Sequence, residues 1–415
     1  MKSATGRFFN IPELVVMITS FFPSKDKLTL MQTNNDLYAI VAPLFYRDPK
    51  VIISSETCTL SSLTRYGQDV RVLRTDLTFI RSYYNGVLAH MNNNSSNTSA
   101  SDGDIDPRRP TWLPAPNAFL IDPTVPLAMM TCLTSLAVKM NYHEVGYRYR
   151  SSGKKVRASW YETVTSYNRQ VCWIVSHCRH LNVLDLDGIE FWDEQDFSRF
   201  GTVLAGSSRL SYLELKVQVT TEFVHQIPLA VFFKCPPSIE HLQLTLDSDI
   251  TSDSPYAKGA FSKIFPHCPA LESIHVPFLF DDNAGVQLIS EAIKEHCPAL
   301  CSISQDYREE KEGDFTMFHA IVDNARRDSL NNIHLAQANE LEWPLLEVFQ
   351  RHSRSLTTIT FEWSQHLSSK TIQGILCECT ALETLRSSST ANFDRRNYQL
   401  DLEDAVAIPW GCTRI

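Results

Sequence analysis

Cysteine and histidine side chains come closest to a chemical site in this sequence. Cys172, His177, Cys178 and His180 fall within nine residues, and thiolates and imidazoles are ligands that Zn²⁺ prefers in proteins. Their spacing matches no zinc-binding signature, and no second cluster accompanies them. We therefore expect these four side chains to be structural and no metal ion to be bound.

The sequence has no convincing pattern of residues for redox or acid–base chemistry either. Cys377 and Cys379 are separated by one residue, but Cys379 is accounted for by the repeat described below. Single carboxylates such as Asp185 and Glu214 have no identifiable partner for proton transfer. Phosphate-binding glycine loops and the Gly-x-Ser-x-Gly and His-Glu-x-x-His motifs are absent from the sequence. We expect no catalytic residues, no cofactor and no enzyme activity.

The composition favours a soluble protein of several domains or a repeat array. The chain has 415 residues, of which 43% are hydrophobic and 20% are charged. Its formal net charge of -9 argues against nucleic acid as a partner. No run of 18 apolar residues exists, which argues against a membrane-spanning segment. Eleven cysteines without a signal-peptide pattern favour reduced thiols, and hence the cytoplasm or the nucleus.

The cysteine, histidine and carboxylate side chains discussed above lie within an internal sequence repeat. The pattern apolar-x-x-apolar-x-apolar recurs, and its first residue advances by 29, 29, 32, 29, 30, 26 and 26 residues from Leu181 onward. Such a period is typical of repeat proteins. The first apolar residues of the copies, three of them degenerate, are Leu133, Leu181, Leu210, Ile239, Leu271, Leu300, Leu330, Leu356 and Leu382.

A cysteine marks the same period. It stands three residues before the first apolar residue in four copies, as Cys178, Cys268, Cys297 and Cys379. Each copy is predicted to form a short strand followed by a helix that packs behind it, because helical spacing of apolar residues is visible between the strands. The cysteine would then lie where helix returns to strand, as a small buried apolar side chain.

The two periodicities together resemble the cysteine-containing class of leucine-rich repeats, from near residue 130 to the C-terminus. The resemblance implies an α/β fold, a leucine-rich-repeat solenoid (horseshoe) with a concave binding face. An ordinary α/β sheet domain remains the alternative, because strands and helices alternate there too. An earlier strand over Val70–Leu77 is predicted to open the solenoid.

Two insertions interrupt the repeat, and the leucine-rich-repeat solenoid is predicted over residues 118–415. Residues 51–89 are interpreted as a first repeat or linker, and residues 90–117, rich in Asn, Ser, Asp and Pro, as a disordered insert. Between Leu133 and Leu181 the step is 48 residues, and the excess contains a basic, aromatic stretch at 147–157. We interpret this stretch as a solvated loop, with a contact loop for an acidic ligand as the alternative.

Polar side chains alternate with the apolar ones and would line the concave face. We interpret these residues as a strand face that is exposed to solvent. Because histidines are among them, a pH-sensitive or phosphate-binding surface is the alternative. The candidate substrate-binding residues are Asp185, Tyr212, Glu214, His241, Gln243, His275, His334, Thr360 and Arg386.

Three short amphipathic helices are predicted within residues 1–50. Asn10 and Glu13 form a start signal of the capping-box type for the first helix. A second helix is predicted from Asp26 and a third over Asp36–Tyr46. The apolar face of the first helix would comprise Ile11, Leu14, Val15, Ile18 and Phe22.

The order of residues in Asn10–Leu14, Phe21–Phe22, Lys25–Leu28 and Ala42–Asp48 resembles an F-box. With the repeats, the chain looks like fungal-type F-box proteins with leucine-rich repeats. This implies a substrate-recognition subunit of a Skp-cullin-F-box ubiquitin ligase, which binds the Skp adaptor, through it a cullin RING ligase, and a protein substrate. The resemblance assigns adaptor-binding or module-forming roles to Ile11, Pro12, Leu14, Ile18 and Leu28.

The alternative function is a leucine-rich-repeat scaffold without a ligase link, whose helices only shield the first repeat from water. Against a simple cap, Val16, Met17 and Phe21 lie outside the apolar stripe of the first helix. A unit of about forty residues has too small a core to bury all of them.

The last residues repeat the start of a strand. Cys412–Ile415 has the Cys-x-x-apolar spacing of the earlier copies. Because solenoids end in a polar cap, we expect the chain to be truncated here or its last repeat, over residues 397–415, to be frayed.

Overall fold

The computed structural model describes residues 12–33, 35–48, 53–54, 67–77, 79–85, 130–139, 154–191, 194–219, 235–246, 262–276, 283–305, 316–336, 343–362, 369–388 and 410–412. The chain forms two compact units, residues 1–187 and 188–415. None of the helices within these ranges is both long and apolar enough to cross a membrane.

The first unit begins with three helices, α1 (Pro12–Thr19), α2 (Ser24–Thr33) and α3 (Asn35–Arg47), as predicted. Helix α1 ends earlier than its apolar stripe suggested, because the Phe21 and Phe22 N–H groups donate to carbonyls only three residues back, at 3.2 and 3.1 Å, and Pro23 follows. The predicted extension to Phe22 is therefore wrong. Both α1 and α2 pack on α3, and the buried side chains are Val15, Met31, Leu37, Val41 and Ala42.

Two ion pairs tie α3 to its neighbours within this unit. Arg47 Nε donates to Asp69 Oδ1 at 2.6 Å, and Asp69 ends the 3₁₀ turn Gly67–Asp69. Lys27, which is buried in α2, donates to Asp48 Oδ2 at 3.0 Å just after α3. Helix α3 is therefore held both to α2 and to the turn that leads into the strands.

Four strands follow in the first unit: β1 (Ile53–Ser54), β2 (Val72–Asp76), β3 (Ser135–Lys139) and the start of β4 (Val183–Phe191). They pair in parallel, with Leu73, Leu136 and Leu184 in register on the buried face. The predicted strand over Val70–Leu77 is confirmed, whereas β1 was not predicted. Helix α4 (Lys154–His177) precedes β4, so the last residues of the basic stretch are helical and not a loop.

The second unit repeats a strand and a helical segment. Its strands are β5 (Tyr212–Val219), β6 (His241–Leu246), β7 (Ser273–Val276), β8 (Ser302–Gln305), β9 (Asn332–Ala336), β10 (Thr358–Glu362) and β11 (Thr384–Ser388). The helical segments are α5 (Glu194–Gly206), a 3₁₀ turn (Phe265–His267), α6 (Asn283–His296), α7 (Thr316–Asn324), α8 (Trp343–Arg351) and α9 (Ser369–Glu378).

The strands β5 to β11 lie in the sheet in chain order and pair in parallel. A doubly wound sheet reverses its strand order partway, so that alternative is excluded for this unit. Successive helices also contact one another, from the 3₁₀ turn through α6, α7 and α8 to α9. The result is an α/β repeat fold that is consistent with a leucine-rich-repeat solenoid.

The repeat positions identified in the sequence form the core. The first apolar residue of every copy is buried, and each strand begins two residues later. Burying one such side chain contributes about 1.5–3 kcal/mol. The predicted helical spacing is confirmed in α6, where Val286, Ile289 and Ile293 are all buried.

One hydrogen-bond pattern sets the step from strand to strand. The backbone N–H groups of Glu272 and Ser273 both donate to the carbonyl of Glu240, at 2.7 and 2.9 Å. The same pair of bonds precedes every strand from β6 to β11. Because these bonds satisfy the backbone groups between helix and strand, each copy is held in the same register.

Residues 410–412 lie against α9. The N–H groups of Gly411 and Cys412 donate to the Leu376 carbonyl at 3.0 and 3.1 Å, and Trp410 Nε1 donates to Gln373 Oε1 at 2.8 Å. A Cβ at Gly411 would lie 2.2 Å from the Cys377 carbonyl oxygen, so this approach requires glycine. The other residues of the predicted frayed end, and the predicted insert at 90–117, lie outside the described residues.

Candidate functional site

Alternate residues of β5–β11 form a polar face. The apolar residues Leu213, Leu242, Ile274, Ile303, Ile333 and Ile359 are buried, and most of the polar residues between the apolar ones are half-buried. Strands are about 4.8 Å apart, so one residue from each of seven strands makes a row about 29 Å long. The central row comprises Glu214, Gln243, His275, Ser304, His334, Thr360 and Arg386.

A second row, the amino row, lies two residues earlier in each strand. It comprises Tyr212, His241, Ser273, Ser302, Asn332, Thr358 and Thr384. Serine, threonine and asparagine side chains both donate and accept hydrogen bonds. The face therefore suits a polar protein surface better than an apolar one.

The register brings together eight of the nine predicted substrate-binding residues. Six of them lie in the central row and two, Tyr212 and His241, in the amino row. Asp185 belongs to the first unit, where its register partner is Ala137. The three histidines do not share one row, because His241 lies in the amino row and His275 and His334 lie in the central row.

Small polar residues of the face were missed by sequence reasoning. Ser302 and Ser304 come from the degenerate copy that begins at Leu300, and neither carries a charge or a ring that would mark it. In the structure Ser304 Oγ lies 2.7 Å from His275 Nδ1 and separates His275 from His334 in the central row. The repeat position alone could have identified both serines.

Tyr212, Glu214 and Lys216 are linked at the β5 end of the face. The Tyr212 hydroxyl donates to Glu214 Oε2 at 2.9 Å, and Lys216 Nζ lies 3.7 Å from Glu214 Oε1. The ring of Tyr212 also lies 6.1 Å from the ring of His241 on the neighbouring strand. The carboxylate is 16% exposed and the lysine 42%, so the carboxylate of Glu214 is held between Tyr212 and Lys216.

Two further carboxylates lie at the amino edge of the sheet. Glu240 and Glu272 each stand one residue before a strand and are exposed. They are adjacent, because the Glu272 N–H donates to the Glu240 carbonyl. Sequence reasoning did not select them, although both follow the first apolar residue of a copy, at a fixed position of the repeat.

Helices α1 and α2 of the first unit carry an exposed apolar surface. Its members and their exposed fractions are Val16 37%, Met17 54%, Ile18 38%, Phe21 84% and Leu28 43%. Of the predicted adaptor-binding residues, Ile18 and Leu28 belong to this surface, Pro12 is exposed, Leu14 is half-buried, and Ile11 lies outside the described residues. Ile18 was predicted for the apolar core stripe of α1, and its exposure corrects that placement.

A cavity adjoins this apolar surface. Its volume is about 750 Å³, and it lies between the α1–α2 turn and the end of α3. Phe21, Phe22 and Leu44 form its apolar wall, and Lys27 and Arg47 form part of its polar wall. Because both cations are already paired with aspartates, the cavity suits an apolar side chain.

The buried cysteines of the repeat have a structural arrangement. The Cys297 thiol lies 3.5 Å from the Cys268 carbonyl oxygen in the preceding copy, and the Cys178 thiol lies 3.4 Å from that of Met130. Burial raises the pKa of Cys178, Cys297 and Cys379 to about 12. A thiol with such a pKa is a poor nucleophile at neutral pH.

The sequence cluster around Cys178 is dispersed by the fold. Cys178 is buried, whereas His177 is exposed, with its ring 4.5 Å from that of Trp173. Within the described residues, no three His, Cys, Asp or Glu side chains converge on a position that could hold a metal ion.

Comparison with known proteins gives structural similarity but no sequence match. No family model matches the sequence, and no curated protein matches it. The chain is similar to the leucine-rich repeat-containing protein LegL7 from Legionella pneumophila, with a TM-score of 0.37 and 11% identity over 62% of this chain and 75% of that chain. The order of strands and helices described above, and not this similarity, defines the repeat fold.

Proposed function

We propose that the chain is the substrate-recognition subunit of a Skp-cullin-F-box ubiquitin ligase, acting in the cytoplasm or nucleus. In this proposal the three-helix module binds the Skp adaptor through the exposed apolar surface of α1 and α2, and the adaptor links the chain to a cullin RING ligase. The polar face of β5–β11 binds the protein substrate. The chain itself then has no catalytic role.

The exposed apolar surface of α1 and α2 is the observation that carries this proposal. All five of its residues are more than one-third exposed, with Phe21 at 84%, and four of them fall within six positions of one another. Large exposed apolar patches mark interaction sites. Covering apolar area is worth about 25 cal/mol per Å², so a partner that buries this surface gains much of its affinity there.

The polar face supports the substrate role. It offers two rows of hydrogen-bonding side chains on seven strands. Binding surfaces of repeat proteins are built in this way, from one residue per repeat. The two surfaces differ in chemistry, so each suits a different partner.

Co-purification with a Skp adaptor tests the proposal. Wild-type chain should retain the adaptor, and Met17→Asp should weaken binding by at least about tenfold, because it places a charge in the apolar contact. Ala39→Asp is the matched control, since Ala39 is exposed on α3 outside the apolar surface. No adaptor binding by a folded, monodisperse wild-type chain would contradict the proposal, and so would equal losses in both variants.

A second candidate function is a leucine-rich-repeat scaffold whose helices only cap the repeats. The Arg47–Asp69 ion pair favours it, because it ties α3 to the turn before β2. A cap predicts that Arg47→Met lowers the thermal stability of the chain while Met17→Asp changes neither stability nor partner binding. Under the ligase proposal, Met17→Asp removes adaptor binding at unchanged stability.

A further inference from the structure

We propose that residues 410–412 form a redox-controlled strap on helix α9, which a disulfide bond between Cys377 and Cys412 holds in place under oxidising conditions. Both cysteines belong to the second unit and carry free thiols. The inference concerns regulation of the repeat unit, and it does not depend on the ligase role proposed above.

Three hydrogen bonds place the strap on the helix. The N–H groups of Gly411 and Cys412 both donate to the Leu376 carbonyl, at 3.0 and 3.1 Å. Trp410 Nε1 donates to Gln373 Oε1 at 2.8 Å, about one turn earlier in α9. Bonds from the backbone and from a side chain therefore fix both the position and the direction of the strap.

The backbones of the strap and of the helix are in direct contact. A Cβ at Gly411 would lie 2.2 Å from the Cys377 carbonyl oxygen and 3.2 Å from the carbonyl carbon. Only glycine allows so close an approach. The contact continues into the next residue, because the Cys412 N–H donates to the carbonyl that immediately precedes Cys377.

This contact brings Cys412 within disulfide range of Cys377. Backbone hydrogen bonds of this kind leave the Cα atoms on either side roughly 5–6 Å apart, and disulfides span Cα separations of about 4.4–6.8 Å. The two thiols also interact electrostatically. Burial raises the pKa of the Cys412 thiol, and repulsion from Cys377 raises it further.

Accessibility selects Cys377, and not the nearby Cys379, as the partner of Cys412. Cys377 is half-buried, whereas Cys379 is fully buried with its thiol 4.0 Å from the Phe349 carbonyl oxygen. Burial, and after it Glu378, raises the pKa of Cys379 to about 12, so its thiolate is scarce. The same two causes raise the pKa of Cys377, so its attack on the oxidant is the slow step.

The oxidant is a small-molecule disulfide such as glutathione disulfide. The Cys377 thiolate attacks one sulfur and forms a mixed disulfide, and the displaced glutathione thiolate takes up a proton. The Cys412 thiolate then attacks the Cys377 sulfur and displaces the second glutathione. Two protein thiols are oxidised to one disulfide while one glutathione disulfide is reduced to two thiols. Because the second step is intramolecular, it is favoured once the mixed disulfide has formed.

Incubation of the full-length chain with glutathione disulfide tests the proposal. The remaining thiols are alkylated and the chain is digested without reduction, with trypsin and with Glu-C, which cuts after Glu378 and so separates Cys377 from Cys379. Mass spectrometry should identify a Cys377–Cys412 linkage, whose rate of formation is independent of protein concentration and which dithiothreitol reverses. Cys412→Ser should abolish it, whereas Cys301→Ser, at another half-buried cysteine, should leave it unchanged.

Glycine variants test the geometry of the strap itself. Gly411→Ala should slow formation of the linkage by at least about tenfold, because a Cβ there collides with the helix backbone. Gly206→Ala is the matched control, since a Cβ at that position would meet nothing within 4 Å. Circular dichroism checks that both variants fold.

Hydrogen exchange of the wild-type chain supplies a measurement that needs no variant. Oxidation should slow exchange of the Gly411 and Cys412 N–H groups by at least about tenfold, because the covalent link keeps the strap close to its acceptor. Reduction with dithiothreitol should restore the original rate.

Four results would overturn the inference. Two concern the bond: the oxidised wild-type chain shows no linkage of Cys412, or it links Cys412 to Cys379. The third is an equal rate of linkage in Gly411→Ala and Gly206→Ala, which would mean that the strap does not position the thiols. The fourth is unchanged hydrogen exchange over residues 410–412 after the Cys377–Cys412 bond has formed.

Discussion

The three-helix module and the β5–β11 repeats place their apolar side chains in opposite ways. In the repeats, the first apolar residue of every copy is buried and the exposed face is polar. In the module, α1 keeps Val16, Met17 and Ile18 exposed, and Phe21 beyond it is 84% exposed. The repeats thus use apolar residues for folding, whereas the module leaves several exposed.

The largest expected effect is on the free energy of unfolding, which should depend on the apolar residues of the repeats but not on the exposed ones of the module. Leu330→Ala removes a fully buried side chain between α7 and β9 and should lower the free energy of unfolding by about 2–5 kcal/mol. Leu28→Ala, at an exposed leucine of α2, should change it by no more than about 0.5 kcal/mol. Urea unfolding followed by circular dichroism measures both. Similar losses in the two variants would show that the module also relies on Leu28 for its fold.

A smaller effect concerns pH and is confined to the repeats. His352 is fully buried, its Nε2 donates to the Val322 carbonyl at 3.3 Å, and burial lowers its pKa. The unfolded chain, with an ordinary histidine pKa of about 6.5, therefore binds a proton more readily than the folded chain. Stability should fall as the pH drops below about 6.5.

Replacing His352 by cysteine sharpens this test. Cysteine occupies the corresponding position of other copies, as in Cys379, whose thiol lies 4.0 Å from the Phe349 carbonyl oxygen. His352→Cys should reduce the loss of thermal midpoint between pH 7 and pH 5, and His267→Cys, at an exposed position, serves as the control. An unchanged pH dependence in His352→Cys would refute the role assigned to this histidine.

The smallest effect is chemical and leaves stability intact. Cys178, Cys297 and Cys379 are buried with pKa values raised to about 12, so the thiolate that alkylating agents require is scarce at pH 8. Iodoacetamide on the folded chain should modify Cys132 and Cys377, which are half-buried, before these three. Mass spectrometry of tryptic peptides measures the order in which the cysteines are modified. Early modification of Cys297 would show that the copies around it open.

Sequence reasoning succeeded where one physical constraint repeats. Each copy buries an apolar residue at the same position, so even the degenerate copies at Leu133, Leu300 and Leu382 could be identified as strands. The polar face was less predictable, because Ser302 and Ser304 differ from loop residues only by their register. His352 escaped notice because it stands four residues, not three, before the first apolar residue of its copy.

The module shows where the sequence alone is insufficient. Helical spacing predicted its three helices, but the end of α1 depends on local backbone hydrogen bonds, those of Phe21 and Phe22 to carbonyls three residues back. Ending the helix there removes Phe22 from the predicted stripe, and Ile18 is exposed and not buried. The strand β1 is two residues long, which is too short for any alternation of apolar and polar residues to reveal it.

Hydrogen exchange with and without a purified Skp adaptor tests the central claim most directly, because it reads both surfaces of the full chain in one measurement. The account predicts that adaptor binding slows exchange in α1 and α2, over residues 12–33, and leaves β5–β11 unchanged. Protection of the strands with none in α1 and α2, or no protection anywhere, would contradict it.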